Sequence, residues 1–216
     1  MSVTQSRVYP PRQARSADTL QRIIVAARSL LDERNFGDIS VAEIMDRAGM
    51  STGSFYTRFY NKEALLPYLY EQYDKELERT TSASLEPSQW IGLTLAERVH
   101  RLVGFSVDSY RANRGLWRAV LIHASSDPSI VTESHRRRRR KMVRGILGFL
   151  LACRQEISHP EPERAVEFAV ILLFATCKDQ ILLEERSHGT VRVSDRLLKE
   201  ELTLSLLAYL GVRDTT

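Results

Sequence analysis

The sequence predicts an all-α protein of about nine helices, on three observations. Apolar residues recur three or four positions apart from Asp18 almost to the C-terminus. Helix-start residues stand ahead of these runs, and Pro128, Pro160 and Pro162 fall where a missing N–H costs least. The one stretch that departs from the pattern, 187–194 with Gly189 and a few β-branched residues, suits an extended turn rather than a sheet.

The elements follow in order. Residues 1–17 contain Pro10-Pro11 and few apolar side chains, and read as a flexible arm carrying Arg7, Arg12 and Arg15 without an acid. The first helix, 18–34, repeats Leu20, Ile23, Ile24, Ala27, Leu30 and Leu31, with Asp18 and Gln21 at capping-box spacing. Phe36-Gly37-Asp38 ends it. Ser40-Val41-Ala42-Glu43 is a capping box that opens a short second helix with Val41, Ile44, Met45 and Ala48 on its apolar face. Gly49 breaks that helix, Ser51 caps a third over 52–58, and Asn61 caps a fourth that runs to about Leu85. Pro67 then falls about six residues inside the fourth helix, where it removes a hydrogen bond and could kink the chain. Pro87, Ser88 and Gly92 make 86–93 a loop. Longer helices are expected over 94–112, 115–124, 128–155, 161–186 and 195–210, with Asp127, His159 and Ser194 ahead of three of them. The expected domains are the arm 1–17, a three-helix domain 18–62 and a larger helical domain 63–213.

Composition bounds the function. At 43% hydrophobic and 27% charged, the chain is globular and long enough to bury a core. No apolar run approaches the ~20 residues that span a bilayer, and the N-terminus lacks the apolar stretch of a signal peptide, so a cytoplasmic protein with no membrane partner is expected. Cys153 and Cys177 lie in apolar surroundings and read as two buried thiols. The net charge of +4 is uneven: residues 1–62 hold nine Arg and Lys against six Asp and Glu, and 63–216 hold 22 against 21. A basic N-terminal third suits DNA phosphates.

Two short capped helices around Ala48-Gly49-Met50-Ser51 have the spacing of a helix-turn-helix. In the second, Phe55 and Phe59 share one face while Gly53, Ser54, Tyr56 and Thr57 fall largely on the other. The stretch SVAEIMDRAGMSTGSFYTRFYNKEALL, residues 40–66, resembles the signature of the tetracycline-repressor-like (TetR) family. Phe55-Tyr56, Phe59 and Asn61-Lys62-Glu63 match in order and spacing, and the helix 18–34 with its trailing Phe36 matches too. Beyond residue 66 only helix count and length are similar.

The resemblance implies a bacterial transcriptional regulator, by family default a repressor, that binds a palindromic double-stranded operator. Ser40 and Ser51 would touch phosphates, Tyr56 a phosphate or base edge, and Lys62 a phosphate. Thr52, Ser54 and Thr57 would read bases, Gly53 would allow close approach, and Arg58, which departs from the common residue there, would meet phosphate. Arg12 and Arg15 would reach the minor groove or stay in a disordered tail. The resemblance also implies a homodimer through helices 161–186 and 195–210, and a small-molecule effector held among the middle helices. Ala165, Phe168, Ala169, Leu172, Ala175, Thr176 and Asp179, with Leu198, Leu202, Ser205, Leu206 and Tyr209, permit the dimer and equally permit intramolecular core.

Arg136–Arg140, with Lys141 and Arg144, cannot all face water, because five consecutive helical residues span the circumference. Projected from Met142, Ile146, Phe149, Leu150 and Cys153, the apolar stripe meets His135, Arg138 and Arg139. These three are expected to bind an acidic effector group, with Phe105, Tyr110, Trp117, Leu121, Met142, Phe149 and Phe174 lining the apolar part. Salt bridges within the protein and snorkelling to solvent compete with that reading. No HxxxH, Gly-rich phosphate loop, GxSxG or promising carboxylate pair is present, so no enzyme, metal or cofactor is expected. The alternatives are a cation- or multidrug-sensing regulator of an efflux gene, and a helical protein-interaction scaffold.

Overall fold

The computed structural model describes residues 14–182 and 193–212, with side chains from Ala17 onward. Arg7 and Arg12, the side chain of Arg15, and nearly all of the 187–194 turn lie outside the described residues. Among the described residues the fold is all-α, with nine α-helices: α1 Ala14–Glu33, α2 Val41–Arg47, α3 Thr52–Tyr56, α4 Leu65–Ser84, α5 Leu95–Ala112, α6 Arg114–Ser126, α7 Glu133–Leu151, α8 Pro162–Cys177 and α9 Asp195–Leu210. None of these helices is long and apolar enough to cross a membrane. Two compact units are present. The first comprises the chain to Glu76 with Asn113–Arg136, and the second comprises Leu77–Ala112 with the chain from Arg137.

In the first unit α1 buries Ile23, Ala26, Ala27, Leu30 and Leu31, the face its periodicity defines. It starts at Ala14, so Asp18 lies inside the helix and does not cap it. The N-terminus of α6 meets the last turn of α1 at Gly115. A Cβ there would stand 2.4 Å from the carbonyl carbon and oxygen of Leu31, so only glycine allows the approach. Polar contacts fix the same junction. Gly115 N–H donates to Asp32 Oδ1 at 3.3 Å, Arg118 Nη2 donates to Leu31 O at 3.1 Å, and Arg28 donates to the Asn113 side chain. Carbonyls and amides that helix ends leave unpaired are satisfied here.

Pro67 does not interrupt α4. Asn61 Oδ1 accepts from Ala64 N–H at 3.0 Å, the turn 61–64 stays outside the helix, and α4 opens at Leu65. Pro67 is therefore the third helical residue, where no intrahelical partner awaits its nitrogen. The expected helix 128–155 also begins later. Asp127, Pro128 and Ile130 form a separate 3₁₀ turn, and α7 starts at Glu133. Thr132 caps it: the Thr132 hydroxyl accepts from His135 N–H at 3.4 Å, and Thr132 N–H donates to His135 Nδ1 at 3.0 Å.

In the second unit α9 packs on α5 and α8, burying Leu198, Leu202, Leu206 and Leu210. Ser194 caps α9 by accepting from Leu197 N–H at 3.2 Å, and Gly211 ends it at φ 72°. Arg98 of α5 is buried between the Trp90 and Phe149 rings. It donates to the carbonyls of Leu93, Trp90 and Phe149 at 3.2, 3.1 and 2.6 Å, which satisfies its donors in place of water. Helix α8 gives way at Lys178 to a π-helical turn, Lys178–Leu182, so its α-helical part is shorter than 161–186. Cys153 and Cys177 carry free buried thiols, and burial pushes Cys177 up to about 12.

Candidate functional site

The pair α2–α3 is built by local rules. Ser40 and Glu43 close a reciprocal capping box, with Glu43 N–H donating to Ser40 Oγ at 3.2 Å and Ser40 N–H to Glu43 Oε2 at 2.8 Å. These bonds, the Ser40 hydroxyl and Arg34 hold the Glu43 carboxyl down at about 2. Gly49 takes φ 65° to turn the chain. Arg22 clamps that turn by donating from Nη2 to Ala48 O at 2.6 Å and to Gly49 O at 3.3 Å. Phe55 and Phe59 are fully buried and stack at 5.1 Å, anchoring α3. Opposite them Ser51, Thr52, Gly53, Tyr56 and Thr57 are exposed, with Tyr56 at 53%. A Cβ at Gly53 would meet nothing within 4 Å, so this face is open.

Three expected contacts are differently engaged. Lys62 is not a dangling phosphate anchor. Its Nζ donates to the carbonyls of Phe36, Gly37 and Ile39 at 3.1, 3.2 and 2.8 Å and lies over the Phe36 ring. The ammonium thus ties the loop after α1 to the start of α4. The amide and hydroxyl of Ser40 both donate to Glu43 Oε2, at 2.8 and 2.7 Å. Arg58 is half-buried and engaged within the protein. Ser54 is half-buried, its Oγ 3.2 Å from Ser51 Oγ, while Thr57 Oγ1 donates to Ser54 O at 2.8 Å. Tyr60 was not anticipated. It is 67% exposed and lies beyond the end of α3, where helical spacing does not place it.

The expected ligand residues separate. His135 is 3% exposed and lies in the first unit; its Nδ1 accepts from Thr132 N–H, and its Nε2 stands 2.7 Å from Glu71 Oε2. The capping contact puts the ring proton on Nε2, facing a carboxylate. That ring is already partnered and does not await an acid. Trp117, also in the first unit, donates from Nε1 to Tyr73 Oη at 3.1 Å, and Leu121 is half-buried on α6. In the second unit Phe149 packs on Trp90, Phe105 is largely exposed, Met142 is half-buried, and Arg138 is engaged within the protein. Of the ten, Tyr110, Arg139 and Phe174 meet in one cavity of about 550 Å³ among the described residues. Val143 and Leu147 of α7 and Glu167, Val170, Ile171, Ala175 and Lys178 of the α8 segment complete its wall. The Arg139 guanidinium lies 5.4 Å from the Phe174 ring centroid. The α8 members fall at i, i+3, i+4, i+7, i+8 and i+11, a stripe readable around Phe174.

Helix α8 presents three faces, about 120° apart at ~100° per residue. Ala165, Val166, Ala169, Leu173 and Cys177 are core. Glu167, Ile171, Phe174 and Lys178 face the cavity. Phe168, Leu172 and Asp179 form a third, exposed stripe, with Ala175 on its border with the cavity, and Leu197 and Leu204 are exposed on α9. Leu198, Leu202 and Leu206, considered from sequence for the dimer, are core of the subunit instead. No group of three or more His, Cys, Asp and Glu is placed to hold a metal among the described residues.

Residues 23–69 match the family model of bacterial regulatory proteins of the tetR family. No curated protein matches the chain. Solved structures share its fold. A protein of Mesorhizobium loti MAFF303099 described as a TetR-family transcriptional regulator superposes with a TM-score of 0.66 at 20% identity, covering 93% of this chain and 98% of its own. A tetR-family regulatory protein of Rhodococcus RHA1 gives 0.65 at 18% identity over 91% and 98%. A TerR/AcrR-family transcriptional regulator of Aquifex aeolicus VF5 gives 0.61 at 20% identity over 88% and 98%. Over residues 23–69, which hold the helix-turn-helix of α2 and α3, the chain is similar to the bacterial regulatory proteins of the tetR family, and the solved structures share its fold.

Proposed function

We propose that the chain is a ligand-responsive repressor that binds a palindromic operator as a homodimer and leaves it when a small molecule occupies the α5–α7–α8 cavity. The observation that carries the DNA half is the two-sidedness of α3. Phe55 and Phe59 are sunk in the core, while Thr52, Gly53, Tyr56 and Thr57 stand in solvent. A short helix so anchored offers hydroxyls and a phenol to a major groove. Ser51 and Tyr56 serve phosphates, and Thr52, Ser54 and Thr57 serve base edges.

The third stripe of α8, with Phe168 at 45% exposure, and Leu204 of α9 at 58% support a partner copy on these helices. Two-fold symmetry then makes the operator palindromic. The cavity supports the effector. Its volume suits a small molecule, and its apolar wall carries Arg139 and Lys178 for an acidic head. Occupancy favours a state of the dimer with lower operator affinity. Glu167 on the same wall is the observation that favours a second reading, a cationic effector.

Fluorescence anisotropy with duplexes selected from a random pool tests the reading. Salt-sensitive binding to a palindrome, weakened when an amphiphilic acid is added, is the expected result. Equal affinity for all sequences would sink the operator. Release only by cationic amphiphiles would replace the acidic effector by the second reading.

A further inference from the structure

The cavity wall is polar at both ends and apolar between, and its order along the two helices sets the form of a ligand. On α8 the lining positions run from Glu167 through Val170 and Phe174 to Lys178. Eleven residues at 1.5 Å each separate Glu167 from Lys178, about 16 Å along the helix. On α7 the lining runs from Arg139 through Val143 to Leu147, about 12 Å. Arg139 is fixed beside Phe174 by its cation–π contact. Its position places the start of the α7 stripe near the late part of the α8 stripe. Arg154, just past α7, donates to Glu163 in the first turn of α8 at 2.7 Å, so the two helices run antiparallel and the α7 positions run towards Glu167. Arg139 and Lys178 thus share one end, and Leu147 and Glu167 the other.

The three rim charges are uncommitted in a way that most charges of this protein are not. Among the described residues none of Glu167, Lys178 and Arg139 makes an ion pair or hydrogen bond; all three are exposed, and the Arg139 guanidinium lies over the Phe174 ring. Elsewhere in the same unit Arg111 is bonded to Asp195, Lys199 to Asp108, Lys141 to Glu78 and Arg98 to three carbonyls. Two cations at one end want an anion, and a lone carboxylate at the other wants a cation or a strong donor. Glu167 is exposed, so a ligand with an apolar end there gains no contact with it, whereas an ammonium or donor gains a charge-assisted hydrogen bond.

We infer that the effector is an elongated amphiphile with a carboxylate or similar anion at the Arg139–Lys178 end and an ammonium or hydrogen-bond donor at the Glu167 end. This deepens the effector reading given above and rests on it. Glu167 is then the residue that sets specificity. It discriminates against simple acids of the same length, and the distance between the charged ends discriminates by length. Acidic and cationic effectors cease to be rival readings, because each describes one end.

Calorimetric titration of the intact protein with two series decides. One series is straight-chain carboxylic acids, and the other is the ω-amino acids of the same lengths. The ω-amino acids should bind about tenfold more tightly than the plain acids at an intermediate length, as expected for one charge-assisted contact. Glu167→Gln should abolish that preference by weakening the ω-amino acids about tenfold, to the level of the plain acids, and Arg139→Gln should weaken both series. Binding of both series with equal affinity, or a preference that survives Glu167→Gln, would overturn the two-ended ligand and leave the effector cavity standing. Absence of binding by either series would overturn the inference, and the acidic effector with it.

Discussion

Lys62 and Arg139 are both cations that the sequence offers to an anionic partner, and the two regions that hold them treat them oppositely. Lys62, at the start of the fourth helix, is spent on three carbonyls and a ring. Arg139, on the wall of the cavity, lies over a ring and makes no ion pair or hydrogen bond among the described residues. The DNA-reading region uses its charges to hold short elements in shape, because helices of seven and five residues have little stability of their own. Arg22 on the Gly49 turn and Arg47 on Glu33 do the same. The outward face of α3, with Thr52, Gly53, Tyr56 and Thr57, is neutral. The cavity is carried by long helices, and while Arg98 and Arg111 brace them elsewhere, the charges on its rim make no such bonds among the described residues. A cation's residue type thus says little about its task until its partners are counted.

The largest effect should come from the closest approach in the first region. Gly115→Ala forces a Cβ into backbone at 2.4 Å, with no flexible side chain to yield, and should cost about 3 kcal/mol in thermal or urea unfolding. Lys62→Ala should come next. Loss of a charged donor from three carbonyls should destabilise by about 2 kcal/mol without DNA present. Unchanged melting with weakened operator binding would return Lys62 to phosphate contact and erase the contrast with Arg139.

A smaller effect should follow acid. The Ser40 amide, the Ser40 hydroxyl and Arg34 hold the Glu43 carboxyl at about 2 against an ordinary 4.5. A depressed folded-state value gives stability that is present above pH 4.5 and lost as pH falls towards 2. Glu43→Gln should therefore flatten the loss of melting temperature across that window; an unaltered slope would remove the capping box from the acid response. Least of all should be Arg139→Gln, which ought to change stability by no more than about 0.5 kcal/mol. A larger loss would mean that Arg139 is structural, as Lys62 is.

Legibility follows the range of the interactions. The box Ser40–Glu43, the turn at Gly49 and the Phe55–Phe59 anchor depend on neighbours within a few residues, so sequence reveals them. Pro67 misleads because Asn61 spends a turn before the helix begins, and Pro128 because Thr132 caps α7 afresh. His135 looks like a ligand residue by projection, yet Thr132 and Glu71 take both its nitrogens. Glu167 and Lys178 are ordinary surface charges in sequence. Their meaning comes from Arg139, across a tertiary contact that no local pattern encodes. Gly115 is similar, since its necessity lies in the backbone of Leu31.

The central claim is that the outward face of α3 reads DNA while the nearby cations hold that face in place. Binding-site selection from random duplexes, run with wild-type protein and with the Thr52→Ala/Thr57→Ala variant, tests it most directly. The account predicts a palindromic consensus for the wild type and changed base preferences in each half for the variant, at an unchanged melting temperature. No consensus for the wild type, or the same consensus for both, would contradict it.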